Sequence, residues 1–126
     1  MSSETEWTAG GNAILYRRCT ACGHVWYFAR RFCPACGAGE DAVSALRSAG
    51  RGTIYARTLV TRAPSPELRA LAPYLVVLVD LDEGVRIMAH GDPDLAIGDR
   101  AAARVVRFGG DGQGGGGALP HFTRLP

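Results

Sequence analysis

The four cysteines of this chain all fall within one stretch, CTACGHVWYFARRFCPACG, as two CxxC pairs, Cys19/Cys22 and Cys33/Cys36. A tetrahedral ion needs four donors converging on one point. A CxxC turn delivers two sulfurs from one tight knuckle, so two knuckles across a hairpin complete the shell. Gly23 and Gly37 follow the second cysteine of each pair, where a residue free to take positive φ turns backbone N–H groups toward sulfur. The ten residues between the pairs are fewer than in the usual ribbon spacing, but they allow a hairpin out and back with HVWYFARRF as its arms. This pattern reads as a metal site made by Cys19, Cys22, Cys33 and Cys36, with disulfides or free thiols as the alternative.

An S₄ tetrahedron suits both zinc and iron, and the knuckles CxxCG and CPxCG resemble those of rubredoxin, whose iron carries electrons. A closed Cys₄ shell leaves no open position for catalysis, which favours structural Zn²⁺ over iron. Four thiolates around Zn²⁺ leave net negative charge, and Arg17, Arg18, Arg30 and Arg31 flank it. Arg30 and Arg31 read either as a solvated face or as a cationic edge for a phosphate-bearing ligand or partner. Trp26, Tyr27, Phe28 and Phe32 are more aromatic surface than so small a module buries by itself. They pack on the rest of the chain or contribute to a protein interface.

Over 126 residues, with 47% hydrophobic and 21% charged residues, the chain has the composition of a soluble globular protein with one small module and one compact domain. All fourteen basic residues are arginine and the net charge is only +2, so no broad electrostatic funnel for nucleic acid is expected. The polar, acidic start MSSETEWTAGG is unlike a secretory signal, and the longest apolar run, LAPYLVVLV, is far too short to cross a bilayer. A cytoplasmic protein without a membrane span is expected, and in a reducing compartment paired cysteines favour metal ligation.

Residues 1–13 read as a lead-in with a short anchor at Trp7, residues 14–40 as the zinc ribbon, residues 41–51 as a linker or short helix, and residues 52–126 as a barrel. After Gly52 the texture is β. Strands are expected at Thr53–Arg62, at the apolar run Tyr74–Leu81 (buried on both faces), and at Val85–His90 after the turn Asp82-Glu83-Gly84. Further strands are expected at Arg100–Phe108, with a phase slip at Val106 that suits a bulge, and at Leu119–Leu125. ELRALA after Pro66 has room for a turn or two of helix. Five short antiparallel strands fit an OB-type barrel better than a sandwich, which needs about seven. The fold class is therefore mainly β, an N-terminal rubredoxin-like zinc ribbon followed by a five-stranded OB-fold barrel. GGDGQGGGG (109–117) matches GxGxxG literally, but no helix follows, and it reads as a loop.

Nothing here assembles a catalytic motif. His24, His90 and His121 are scattered, and metal-bound cysteines are not free nucleophiles. Asp80, Asp82 and Glu83 read as turn-forming and solvent-facing. His121 is placed at the surface.

The order of a CxxCG…CPxCG ribbon, GRGTIY, PYLVVLVDLDEGVRIMAH, IGDRAAARVVRF and LPHFTRLP resembles the DUF35 family, zinc-ribbon OB-fold proteins associated with acyl-CoA enzymes. The resemblance spans residues 14–126. It implies a ribbon packed on an OB barrel, with Cys19, Cys22, Cys33 and Cys36 as ligands, and a non-catalytic accessory subunit in a hetero-oligomer. Its partners would be thiolase-fold enzymes, hydroxymethylglutaryl-CoA synthase, acyltransferases, MaoC-type enoyl-CoA hydratases or thiolase-like aldolases of steroid side-chain degradation. In such complexes the small subunit stabilises the enzyme and helps shape its acyl-CoA region. Two features depart from the family: only Trp7–Leu15 stands where relatives have a longer N-terminal helix, and the glycine-rich insert is unusual. On this reading Trp26, Tyr27, Phe28, Arg30, Arg31 and Phe32 are the candidates for contact with partner or CoA. Two alternatives remain: a single-stranded nucleic-acid binder, for which only Tyr55, Arg57 and Arg62 offer a groove, and a rubredoxin-like electron carrier.

Overall fold

The computed structural model describes residues 5–62, 69, 72–108 and 117–126. A 3₁₀ turn at Trp7–Ala9 leads into three strands, β1 (Leu15–Cys19), β2 (Val25–Trp26) and β3 (Val43–Arg47), which form an antiparallel sheet in the order β2-β1-β3. Strands β4 (Arg51–Val60), β5 (Tyr74–Leu81), β6 (Arg86–Gly91), β7 (Arg100–Phe108) and β8 (Gly117–Arg124) close a barrel in the order β4-β5-β6-β8-β7. The fold class and the positions of the five barrel strands agree with the sequence reading to within a few residues at their ends.

Three expectations are corrected. The segment read as a linker or short helix supplies β3, which pairs with β1 over five residues, from Leu15↔Arg47 to Cys19↔Val43. A single hairpin between the knuckles leaves one side of β1 without backbone partners, and β3 satisfies that edge. The bulge lies in β4, not β7: Ile54 pairs with Val79 and Ala56 with Leu78, leaving Tyr55 as the extra residue. Pairing of β7 with β8 runs unbroken through Val106↔Leu119. Strand β5 buries Leu75, Val77, Val79 and Leu81 on one face, while Val76, Leu78 and Asp80 on the other are only half-buried. The expected helix at ELRALA lies, apart from Arg69 and Ala72, outside the described residues, as does the glycine-rich stretch up to position 116.

The barrel interior gathers Ile54, Val77, Val79, Ile87, Leu95 and Phe122, none more than 2% exposed. Ile14, immediately before β1, belongs to the same cluster, and Trp7, Tyr16, Val25 and Tyr27 pack against it. Ribbon and barrel therefore share one apolar core, worth roughly 25 cal/mol for each Å² of apolar surface removed from water. Polar contacts fix the lead-in to this junction. The Trp7 indole N–H donates to Tyr27 Oη at 2.9 Å, and buried Arg17 pairs with Glu6 at 3.0 Å while donating to the Tyr27 carbonyl at 2.6 Å. From the barrel side, Arg107 Nη2 donates to the carbonyls of Gly10 and Gly11.

Candidate metal centre

Both knuckles are built alike. The Gly23 N–H donates to the Cys19 carbonyl at 2.8 Å and the Gly37 N–H to the Cys33 carbonyl at 2.9 Å, with φ of +81° and +80° at the two glycines. A side chain there would be strained, so glycine lets each chain reverse and leave its sulfurs pointing one way. Strand β1 delivers Cys19 to the centre, and the short turn just before β3 backs this first knuckle, where the Thr20 N–H donates to the Ala42 carbonyl at 2.8 Å.

The four sulfurs lie within 4.8 Å of one another. A tetrahedral shell with metal–sulfur bonds of about 2.3 Å sets neighbouring sulfurs about 3.8 Å apart. Cys19 Sγ stands 3.7 Å from Cys36 Sγ, and Cys22 Sγ 3.6 Å from Cys33 Sγ. A disulfide, at about 2.05 Å, is absent: all four cysteines are free. The donor set fits a structural metal. Backbone N–H groups of Ala35 and Cys36 each reach Cys33 Sγ at 3.4 Å. Burial raises the Cys33 thiol, but those donors win and bring it down to about 6. The backbone N–H of Cys22 takes the lead in lowering Cys19. At Cys22 the His24 N–H lowers the thiol, yet desolvation and the neighbouring sulfurs push it up to about 12. Without a cation between them, the sulfurs cannot all carry charge; a divalent ion removes that conflict.

The six candidate contact residues divide. Trp26, for which packing and an interface were both open, is packed: at 8% exposure it fills the ribbon core against Cys19 and Cys33. Tyr27 is half-buried, with burial pushing its phenol up and the Trp7 donor drawing it back. Phe28 and Phe32 are 71% and 59% exposed, and Arg30 and Arg31 beside them are exposed too. An open cleft of about 330 Å³ runs along Arg30, Arg31, Glu40 and Val43, where Arg31 and Glu40 make only a loose 3.8 Å pair.

Of the acidic residues read as solvent-facing, Asp80 and Asp82 pair with Arg86 and Arg100 at the surface. Glu83 instead reaches back to accept hydrogen bonds from Ser48 and Ala49. His24 stacks on Trp26. His90 and His121, thirty-one residues apart in sequence, become register partners where β6 and β8 run parallel. Alternation within single strands carries no signal for that pairing, since hairpin logic predicts only antiparallel neighbours.

Known proteins share this architecture. Residues 7–42 match the rubredoxin-like zinc ribbon domain of ChsH2, and residues 47–106 its C-terminal OB-fold domain. A DUF35 domain-containing scaffold protein of Methanothermobacter thermautotrophicus is 34% identical over 86 residues, 65% of this chain and 63%, under two thirds, of its own length. A second, from Methanocaldococcus jannaschii, is 30% identical over 102 residues, 78% of this chain and 71% of its own. A probable enoyl-CoA hydratase alpha subunit of Thermomonospora curvata is 33% identical over 61% of this chain and 23% of its own length. Among solved structures, a chain of the Ltp2-ChsH2(DUF35) aldolase superposes with a TM-score of 0.69 at 25% identity, covering 89% of this chain and 84% of that one. A DUF35 protein of Sulfolobus solfataricus superposes with a TM-score of 0.55 at 12% identity over 90% of this chain and 76% of its own, a likeness of fold. With ribbon, barrel and cysteine knuckles all matched in order, this chain belongs to the DUF35 family of zinc-ribbon OB-fold proteins.

Proposed function

We propose that the chain is a non-catalytic accessory subunit that docks on a thiolase-like acyl-CoA enzyme, with zinc as its structural metal. A thiolase, an acyltransferase and a steroid side-chain aldolase are the partner types, and the aldolase is favoured by the likeness to the Ltp2-ChsH2(DUF35) aldolase chain. The observation that carries the reading is the pair of solvent-facing rings, Phe28 and Phe32, on the segment between the two knuckles. Two large aromatic side chains presented beside paired arginines are the composition of an interface anchor rather than of an idle surface. The metal holds that segment in one shape, so docking loses little conformational entropy. Arg30 and Arg31 then stand where they would meet CoA phosphates at a shared boundary.

The nucleic-acid reading is weakened by the barrel's own contacts. The Tyr55 ring, its best stacking platform, is capped by the Arg86 guanidinium at 3.5 Å, and Arg57 is engaged with the Pro93 carbonyl. Among the described residues, no helix is long and apolar enough to cross a membrane.

The test is co-expression of the full chain with a thiolase-fold acyl-CoA enzyme, the aldolase type first. The wild-type pair should co-purify as a hetero-oligomer. The double variant Phe28→Ser, Phe32→Ser should keep its metal and lose the partner. Equal co-purification of the double variant rejects the docking edge, and a salt-sensitive complex with single-stranded DNA in place of a protein partner returns the nucleic-acid reading.

A further inference from the structure

The barrel carries a second chemically distinct place, away from the cysteines in sequence, at the seam where β6 meets β8. Their parallel pairing is short, with His90↔His121 and Gly91↔Phe122 as its register partners. Gly91 and Phe122 are buried in the interior, so alternation turns both histidines to the outer face side by side. Arg104 is the register partner of His121 on β7, and Val106 that of Leu119. With Tyr74 at the start of β5, these side chains line a cavity of about 260 Å³. Here lies the physical reason for the phase slip at Val106. The valine is apolar and turned outward because it forms a cavity wall, not because the strand bulges.

Each polar group in the cavity is held in place. The Tyr74 and His90 rings stack with centroids 4.4 Å apart and planes 19° from parallel. His121 Nε2 lies 2.8 Å from Asp92 Oδ1, and this contact holds the Asp92 carboxyl below its usual range. Arg104 Nη1 donates to Thr123 Oγ1 at 3.1 Å. Burial, and then the neighbouring His121, hold His90 below its ordinary value, so near neutrality it offers a hydrogen bond rather than a charge. Among the described residues, Arg104 is the one guanidinium in the lining and no carboxylate is part of it.

We infer that this cavity binds a small apolar monocarboxylate, an acid bearing a single ring or a short alkyl chain. The guanidinium matches a carboxylate's two oxygens, and the imidazole pair adds polar partners at the same end. Tyr74, Val106 and Leu119 offer apolar contact to the body of the ligand. A single guanidinium suits one negative charge rather than a polyphosphate. The volume is below the roughly 300–1,000 Å³ of sites that enclose drug-sized molecules, which sets the ligand's size. The inference is independent of the docking edge on the ribbon.

The experiment titrates the isotopically labelled, metal-loaded full chain with phenylacetate and hexanoate, and in parallel with phenylacetamide and hexanamide. The His90 and His121 ring signals and the Arg104 Nε–H signal are followed by NMR. Both acids should move all three sets saturably, and the amides should bind at least tenfold more weakly. Arg104→Gln should weaken the acids about tenfold, and Val106→Phe, which fills the cavity without touching its charge, should abolish the response while the remaining spectrum stays dispersed. Absence of saturable shifts in the wild type, equal binding of acids and amides, or undiminished binding to either variant overturns the assignment.

Discussion

The Glu83 carboxylate, in the turn between β5 and β6, accepts the Ser48 hydroxyl at 2.7 Å and the Ala49 N–H at 2.8 Å. Ser48 is 4% exposed and its oxygen also accepts the Gly50 N–H at 2.9 Å. One side chain of the barrel thus caps the chain as it crosses from β3 to β4. Truncation to Glu83→Ala removes both acceptors and should cost about 1–3 kcal/mol, whereas Glu83→Gln keeps one acceptor and should cost less. Urea unfolding of the two variants checks the order; equal stability of Glu83→Ala and the wild type would show that the clamp is idle.

Gly52 is fixed by space rather than by turn geometry. A Cβ there would collide with the Asp80 carbonyl oxygen on β5 and come within 2.8 Å of Val79 Cγ1. Strand backbone has little freedom to yield, so Gly52→Ala should destabilise the barrel by about 1–3 kcal/mol. Gly39→Ala, where an added Cβ meets nothing within 4 Å, should be close to neutral. Thermal unfolding of the two variants makes the comparison.

Much of this was legible in sequence, because the signals were local. Knuckle spacing announced the sulfur cluster, and β-branched runs broken by Asp-Glu-Gly and Asp-Pro marked the barrel strands. What stayed hidden depends on partners distant in the chain. Strand β3 reads as a linker because Val43–Arg47 gains its meaning only beside β1, and none of its residues is fully buried. The place of Trp26 stays open in sequence because composition cannot distinguish a ring that fills the metal module from one that leaves it. His90 and His121 meet only through a parallel seam that barrel closure creates. Glu83 looked like turn chemistry, and it does sit in the turn, but its carboxylate serves another segment.

Stability should fall with acid in two stages. His90 is held below its ordinary value by burial, so the unfolded chain takes up its proton first, and the stability it contributes is full above about pH 6.5 and lost as pH falls below that. Asp82, Asp92 and Asp99 are depressed by Arg100, by His121 and by the Ala96 N–H respectively. Their contribution is full above about pH 3.9 and is lost as pH falls through the lowered folded values. His90→Asn should flatten the first stage and leave the second; an unchanged slope between pH 6.5 and 5 would refute the assignment to His90.

Metal removal should act on shape before it acts on anything else. Cys19 and Cys33 are buried with Trp26 between the knuckles, and Val25 and Tyr27 from the same hairpin pack against the barrel core. Withdrawal of the ion leaves four sulfurs crowded within 4.8 Å with no charge to hold them, and the small ribbon core is too slight to persist alone. A strong chelator, or Cys33→Ser, should red-shift Trp26 emission as the ring enters water and lower the midpoint of thermal unfolding of the whole chain, because the shared core loses its ribbon side. Emission can be assigned by the Trp7→Phe background, which leaves Trp26 as the sole tryptophan. Metal analysis of the intact protein distinguishes zinc from iron, and a colourless sample with one zinc per chain is expected. Unchanged emission after complete metal loss would show that the knuckles hold their shape without the ion.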